Sequence, residues 1–172
     1  MQDTGATALH ATSLQLVEYE LWCNREALAG LARLSAADLH RDFGFGHRTP
    51  HRTIFHIADV MQGWSRRVGP VLSDPVWLPY DATLTLADLR QLLVASGDGW
   101  LAAARASCEA GVLHEQRRLQ QLLHLVTHGT HHRGQLLSML SLLGQPQPFE
   151  GGDFGGWSNP AAAARRAAAV QT

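Results

Sequence analysis

The chain has 172 residues, 45% of them hydrophobic and 17% charged, with a formal net charge of −1. That length supports a single domain with a real core, and the charge balance gives no electrostatic footprint for nucleic acid. All 14 basic residues are arginine, so chemistry that needs a Schiff-base lysine or a P-loop lysine is excluded.

No apolar run reaches the length of a bilayer span, because Arg25, Glu26 and Arg33 interrupt the N-terminal apolar region. Residues 1–10 lack a basic start followed by an apolar block, so no secretory leader and a cytoplasmic location are expected. Cys23 and Cys108 are far apart and outside any C-x-x-C motif. They read as two buried thiols, and the lack of that motif argues against a thiolate-zinc or electron-transfer site.

In chain order, the first predicted helix covers residues 13–34. Leu14, Val17, Leu21, Leu28, Leu31 and Leu34 recur at three- and four-residue spacing, with Glu18, Glu20, Arg25 and Glu26 between them. Ser35 caps a short turn through Asp38. Phe43-Gly44-Phe45-Gly46 is too irregular for a phosphate loop and reads as a flexible connector. The second helix opens at Thr49-Pro50, an N-cap followed by proline at the first helical position. It carries Ile54, Ile57, Met61, Trp64 and Val68 and stops at Gly69-Pro70. Residues 70–79 form a proline-punctuated connector with no regular structure.

Thr83 or Thr85 caps the third helix, where Gly97 and Gly99 each weaken the middle by about 1 kcal/mol relative to alanine. The fourth helix runs from Leu113 or Glu115 to Leu143 and ends at Gly144. Both of its sides are apolar: Leu119, Leu122, Leu123, Val126, Leu137 and Leu140 on one, Leu125, Leu136 and Met139 with two histidines on the other. Such a helix is expected to be buried twice. Residues 145–157 are rich in glycine, proline and aromatics, and Ser158-Asn159-Pro160 precedes an alanine-rich stretch, 161–169, that reads as a short capped helix. The expectation is an all-α four-helix bundle over residues 1–157 with a C-terminal extension, 158–172.

The fourth helix carries the chemistry. Its segment His128-Gly129-Thr130-His131-His132-Arg133-Gly134-Gln135 sets two imidazoles, His128 and His132, at i and i+4 on one helical face, within reach of one divalent cation. A site with open positions needs a further donor from another helix, and His56 on the second helix is the best candidate. Asp59, one turn later, could orient a ligand imidazole or could pair with Arg133; the two roles stand level. His131 points about 100° away from His132 and reads as a surface or dimer contact. His124, one turn before His128, reads as solvent-exposed. Arg133 and Gln135 read as structural, pairing with a carboxylate and a backbone group. Gly129 and Gly134 read as sites of close helix approach. Tyr19, Trp22, Trp64 and Trp100 are core or pocket lining. No H-E-x-x-H, Glu-x-x-His pair, C-x-x-C-H or G-x-S-x-G occurs, so zincin, di-iron, haem-attachment and hydrolase-elbow readings fall away.

Three pieces in this order resemble the DinB-like family, with its YfiT-type relatives: Leu16-Val17-Glu18-Tyr19-Glu20-Leu21-Trp22-Cys23-Asn24-Arg25, His56 among apolar neighbours, and the block ending His132-Arg133-Gly134-Gln135. The resemblance implies a four-helix bundle, often a homodimer, with a divalent metal on three histidines: His56, His128 and His132. The residue one turn after the second-helix histidine is more often Glu in that family and is Asp59 here. Characterised relatives include transferases and isomerases using low-molecular-weight thiols. The resemblance therefore implies a zinc, nickel or iron enzyme transferring a thiol to a small electrophile. A non-catalytic metal-binding stress-response protein and a metal-dependent hydrolase are the alternatives.

Overall fold

The computed structural model describes residues 4–148 and 153–159. They are all-helical, with six helices instead of the expected four: α1 (Thr4–Leu31), α2 (Ala36–Leu39), α3 (Pro50–Ser65), α4 (Leu86–Glu109), α5 (Gln116–Leu142) and α6 (Phe154–Ser158). The two additions are single turns, each made by one capping side chain. Ser35 accepts from the Asp38 N–H at the start of α2, and Asp153 accepts from the Gly156 N–H at the start of α6. The alanine-rich stretch 161–169 lies outside the described residues.

Helix starts follow their caps. Thr49 accepts from the Arg52 N–H ahead of Pro50. Thr85, not Thr83, begins α4, with a reciprocal capping box to Asp88. The beginning of α1 differs: it is helical from Thr4, not residue 13. Ala6, Ala8 and Ala11 favour helix without adding an apolar stripe, so periodicity alone misses that turn.

The helix α3 packs between α4 and α5, and α1 packs across the same two helices from the other side. Trp100 and Leu89 of α4, Val17 and Leu31 of α1, Ile54 of α3 and Leu136 and Met139 of α5 are fully buried where the four long helices meet. Gly97 is a packing site rather than a kink: a Cβ there would run into a Leu21 methyl of α1, whereas Gly99 faces open space. The α5 helix buries one face, not two. Leu122, Leu125, His132, Leu136, Met139 and Leu140 are inside, while Leu123 is 43% exposed. Tyr19 stacks edge-on against Phe154 and Trp157 of α6, with ring centroids 5.5 and 5.7 Å away.

A buried ion pair ties α1 to α5. The Arg133 guanidinium donates to both Glu20 carboxylate oxygens at 2.5 and 2.7 Å and to Asn24 Oδ1 at 2.9 Å. Thr130 adds a donor to Glu20 at 3.1 Å. A side chain at position 129 would collide with the Glu20 carboxylate, so Gly129 gives the pair its room; nothing lies within 4 Å of a Cβ at Gly134. The connector after α3 is irregular, as expected, but strapped down. Arg118 donates to the carbonyls of Gly69 and Pro70, and Asp59 Oδ1 accepts from the Leu78 N–H at 2.7 Å. His51 Nε2 lies 2.8 Å from the Leu84 carbonyl, which can only accept. That fixes its proton on Nε2 and leaves Nδ1 to accept from the Tyr80 hydroxyl. Cys23 and Cys108 form no disulfide, and burial pushes the Cys23 thiol up to about 11. No helix among the described residues is long and apolar enough to cross a membrane.

Candidate metal centre

Since α3 packs directly on α5, His56 comes to face His128 and His132. The ring centroids are 4.9 Å apart for His56 and His128, 4.7 Å for His56 and His132, and 4.4 Å for His128 and His132. The Nε2 atoms of His56 and His128 are 3.0 Å apart. As a hydrogen bond this contact needs a proton on one nitrogen. With both lone pairs turned to a cation, it matches an edge of a coordination polyhedron: metal–nitrogen bonds near 2.05 Å place neighbouring ligands about 2.9 Å apart at right angles and about 3.3 Å apart in a tetrahedron.

A fourth imidazole joins from the residue that follows the Phe43–Gly46 connector. His47, in the turn before α3, lies 3.8 Å from the His56 ring and 4.9 Å from the His132 ring, centroid to centroid. One candidate nitrogen from each of His47, His56 and His132 lies within 4.8 Å of the others, so this group can hold a metal ion. The turn is rigidly built. Phe43 N–H donates to the Arg48 carbonyl and Arg48 N–H to that of Phe45, both at 2.8 Å, while the Arg48 side chain pairs with Asp42. Gly44, Gly46 and Arg48 adopt left-handed φ values of 75°, 55° and 73°. A histidine outside helical periodicity gives no spacing signal. The only hint was the density of glycine around it.

The electrostatics favour neutral rings. Burial, then the neighbouring His47, His132 and Arg52, pushes His56 down to about 4. Burial, then His132 and His56, pushes His128 down to about 3. His47 and His132 are also lowered, first by burial. At neutral pH each ring therefore carries a lone pair, the form that binds a cation. Within this histidine group there is no carboxylate, so a bound dication would keep its charge.

The side chain that contacts His132 is Gln135, not Asp59. Gln135 Oε1 lies 2.9 Å from His132 Nδ1, and Gln135 Nε2 lies 3.0 Å from His131 Nε2. In the structure the amide nitrogen faces His131 and its oxygen faces His132. His132 then holds its proton on Nδ1 and presents Nε2 to the site. Neither role considered for Asp59 is the one found, since it caps the Leu78 N–H. Arg133 meets Glu20, Asn24 and Thr130 instead. The shorter carboxylate of Asp59 serves the connector. His124 is exposed and packs edge-on against Trp64, 5.5 Å away, and His131 contributes only through Gln135.

Fold and cluster together define an all-helical protein whose histidine group suits a divalent cation. The family model of the DinB family matches residues 1–154, and the chain belongs to that family. No curated protein matches it.

Proposed function

We propose that this protein binds a borderline divalent cation (zinc, nickel or iron) through His56, His128 and His132, and that it transfers a low-molecular-weight thiol to a small electrophile. The observation that carries the metal reading is the convergence of neutral imidazoles from two helices, with the His56 and His128 Nε2 atoms 3.0 Å apart. All-nitrogen, uncharged donors suit ions of intermediate softness and are poor hosts for magnesium or calcium. Bound there, such a cation supplies Lewis acidity that makes a nucleophile from a thiol or from water at neutral pH.

The chain's own groups do the rest. Gln135 holds the His132 tautomer, and the Glu20–Arg133 pair anchors α5 to α1 at the residue next to His132. Cys23 is buried with its thiol pushed up, so the nucleophilic thiol is an external one. Thiol transfer is favoured over hydrolysis by the family membership alone, which is analogy. The same reading takes residues 1–157 as one four-helix unit, with α6 docked on α1, and residues 158–172 as an appendage. The test is turnover of metal-loaded protein with a panel of thiols and electrophiles. Rates above background that vanish in His132→Ala support transfer; equal rates in both proteins refute it.

A further inference from the structure

We propose that His47 is a protein ligand of the same cation, making this a four-imidazole site with one donor delivered by a loop. This rests on the reading that the cluster binds metal. Three observations point to it. First, His47 belongs to the group whose nitrogens already lie within 4.8 Å of one another, alongside His56 and His132. Second, the His47 ring is half-buried and packs against both other rings of that group, its centroid 3.8 Å from that of His56 and 4.9 Å from that of His132. Third, the backbone is shaped to place it. Three left-handed positions within five residues, Gly44, Gly46 and Arg48, closed by the Asp42–Arg48 pair, turn the chain so that residue 47 faces α3 and α5. Gly46 packs so tightly against the Gln135 amide that a Cβ there would collide with Oε1. The turn is therefore seated on the residue that orients His132, and the placement of His47 and the tautomer of His132 are set by one contact.

The group that meets the 4.8 Å distance contains His47 and not His128. His128 adjoins it from α5 through the 3.0 Å contact between its Nε2 and that of His56. Four nitrogen donors close the site for an ion that takes four ligands and leave one or two positions open for an ion that takes five or six. A tetrahedral zinc site of this kind would be structural, whereas nickel or iron would keep room for a thiol.

The test compares His47→Ala and His47→Phe with the wild-type protein. Zinc and nickel affinities are read by competition with a chromophoric chelator, and cobalt substitution is read by visible absorption, with helical content as the control for folding. Phenylalanine preserves the ring that packs on His56 and removes the nitrogens. Both variants are expected to bind at least about tenfold more weakly, which is the loss that removing even a supporting residue causes, and to shift the cobalt spectrum. The exposed His114→Ala should match the wild type in both. Wild-type affinity and an unchanged cobalt spectrum in His47→Phe would overturn this inference alone. Absence of metal binding by the wild-type protein would overturn it together with the reading beneath it.

Discussion

Replacing Gln135 by leucine removes the acceptor that holds the His132 proton on Nδ1. The wild-type contact is 2.9 Å, with the amide oxygen toward His132 and the amide nitrogen 3.0 Å from His131. With leucine in place, His132 can carry its proton on either nitrogen, and the ring is free to rotate away from His56 and His128. Loss of such an orienting partner costs about 10–100-fold in metal affinity, or roughly 1.4–2.7 kcal/mol. Gln135→Glu keeps an acceptor at the same reach and strengthens it with charge, so its affinity should equal or exceed that of the wild type. Competition titration with a chromophoric chelator measures all three proteins. Leucine and wild-type proteins of equal affinity, with helical content unchanged, would refute the assignment of Gln135 as the orienting residue.

Glu20→Ala strands the Arg133 guanidinium, 3% exposed, without its carboxylate. The expected loss is about 3–5 kcal/mol, seen as a fall in Tm on the order of 10 °C; an unchanged Tm would show that the pair contributes nothing. In metal-free protein, His56 and His128 hold folded pKa values of about 4 and about 3 against an unfolded value near 6.5. The unfolded chain therefore binds more protons below pH 6.5, so the contribution of these rings is complete above that pH and declines as the pH falls toward 4. Urea midpoints between pH 7.5 and 4.5 should fall, and the His56→Ala/His128→Ala double variant should fall less; parallel slopes would contradict the burial of these rings. Gly97→Ala should lower Tm despite a helix-propensity gain of about 1 kcal/mol, because its methyl meets Leu21, whereas Gly99→Ala should raise it. The opposite ordering would mean that α1 and α4 do not approach at Gly97.

Where the chain announces structure through period or cap chemistry, the sequence was a good guide. Thr49-Pro50 and Thr85 start helices as their capping side chains demand, and the i, i+4 pair of His128 and His132 lies on one face because α5 is regular through that segment. The convergence of His56 with that pair was legible only as a candidate, since it depends on α3 packing against α5. What period cannot show was missed. His47 reaches the cluster through left-handed backbone at Gly44, Gly46 and Arg48, which produces no repeat in the sequence. Arg133 needed a carboxylate, but Asp59 and Glu20 are indistinguishable as partners until α1 is laid on α5. Gly129 then proves to be the space that Glu20 occupies. The single turns α2 and α6 are shorter than any apolar period can detect.

The most direct measurement of the central claim is elemental analysis of purified, untagged protein beside the His56→Ala/His128→Ala/His132→Ala variant, with both shown to be helical. The account predicts close to one equivalent of zinc, nickel or iron in the wild-type protein and a large loss in the triple variant. Equal, near-zero metal in both, persisting after reconstitution with each of the three ions, would contradict it.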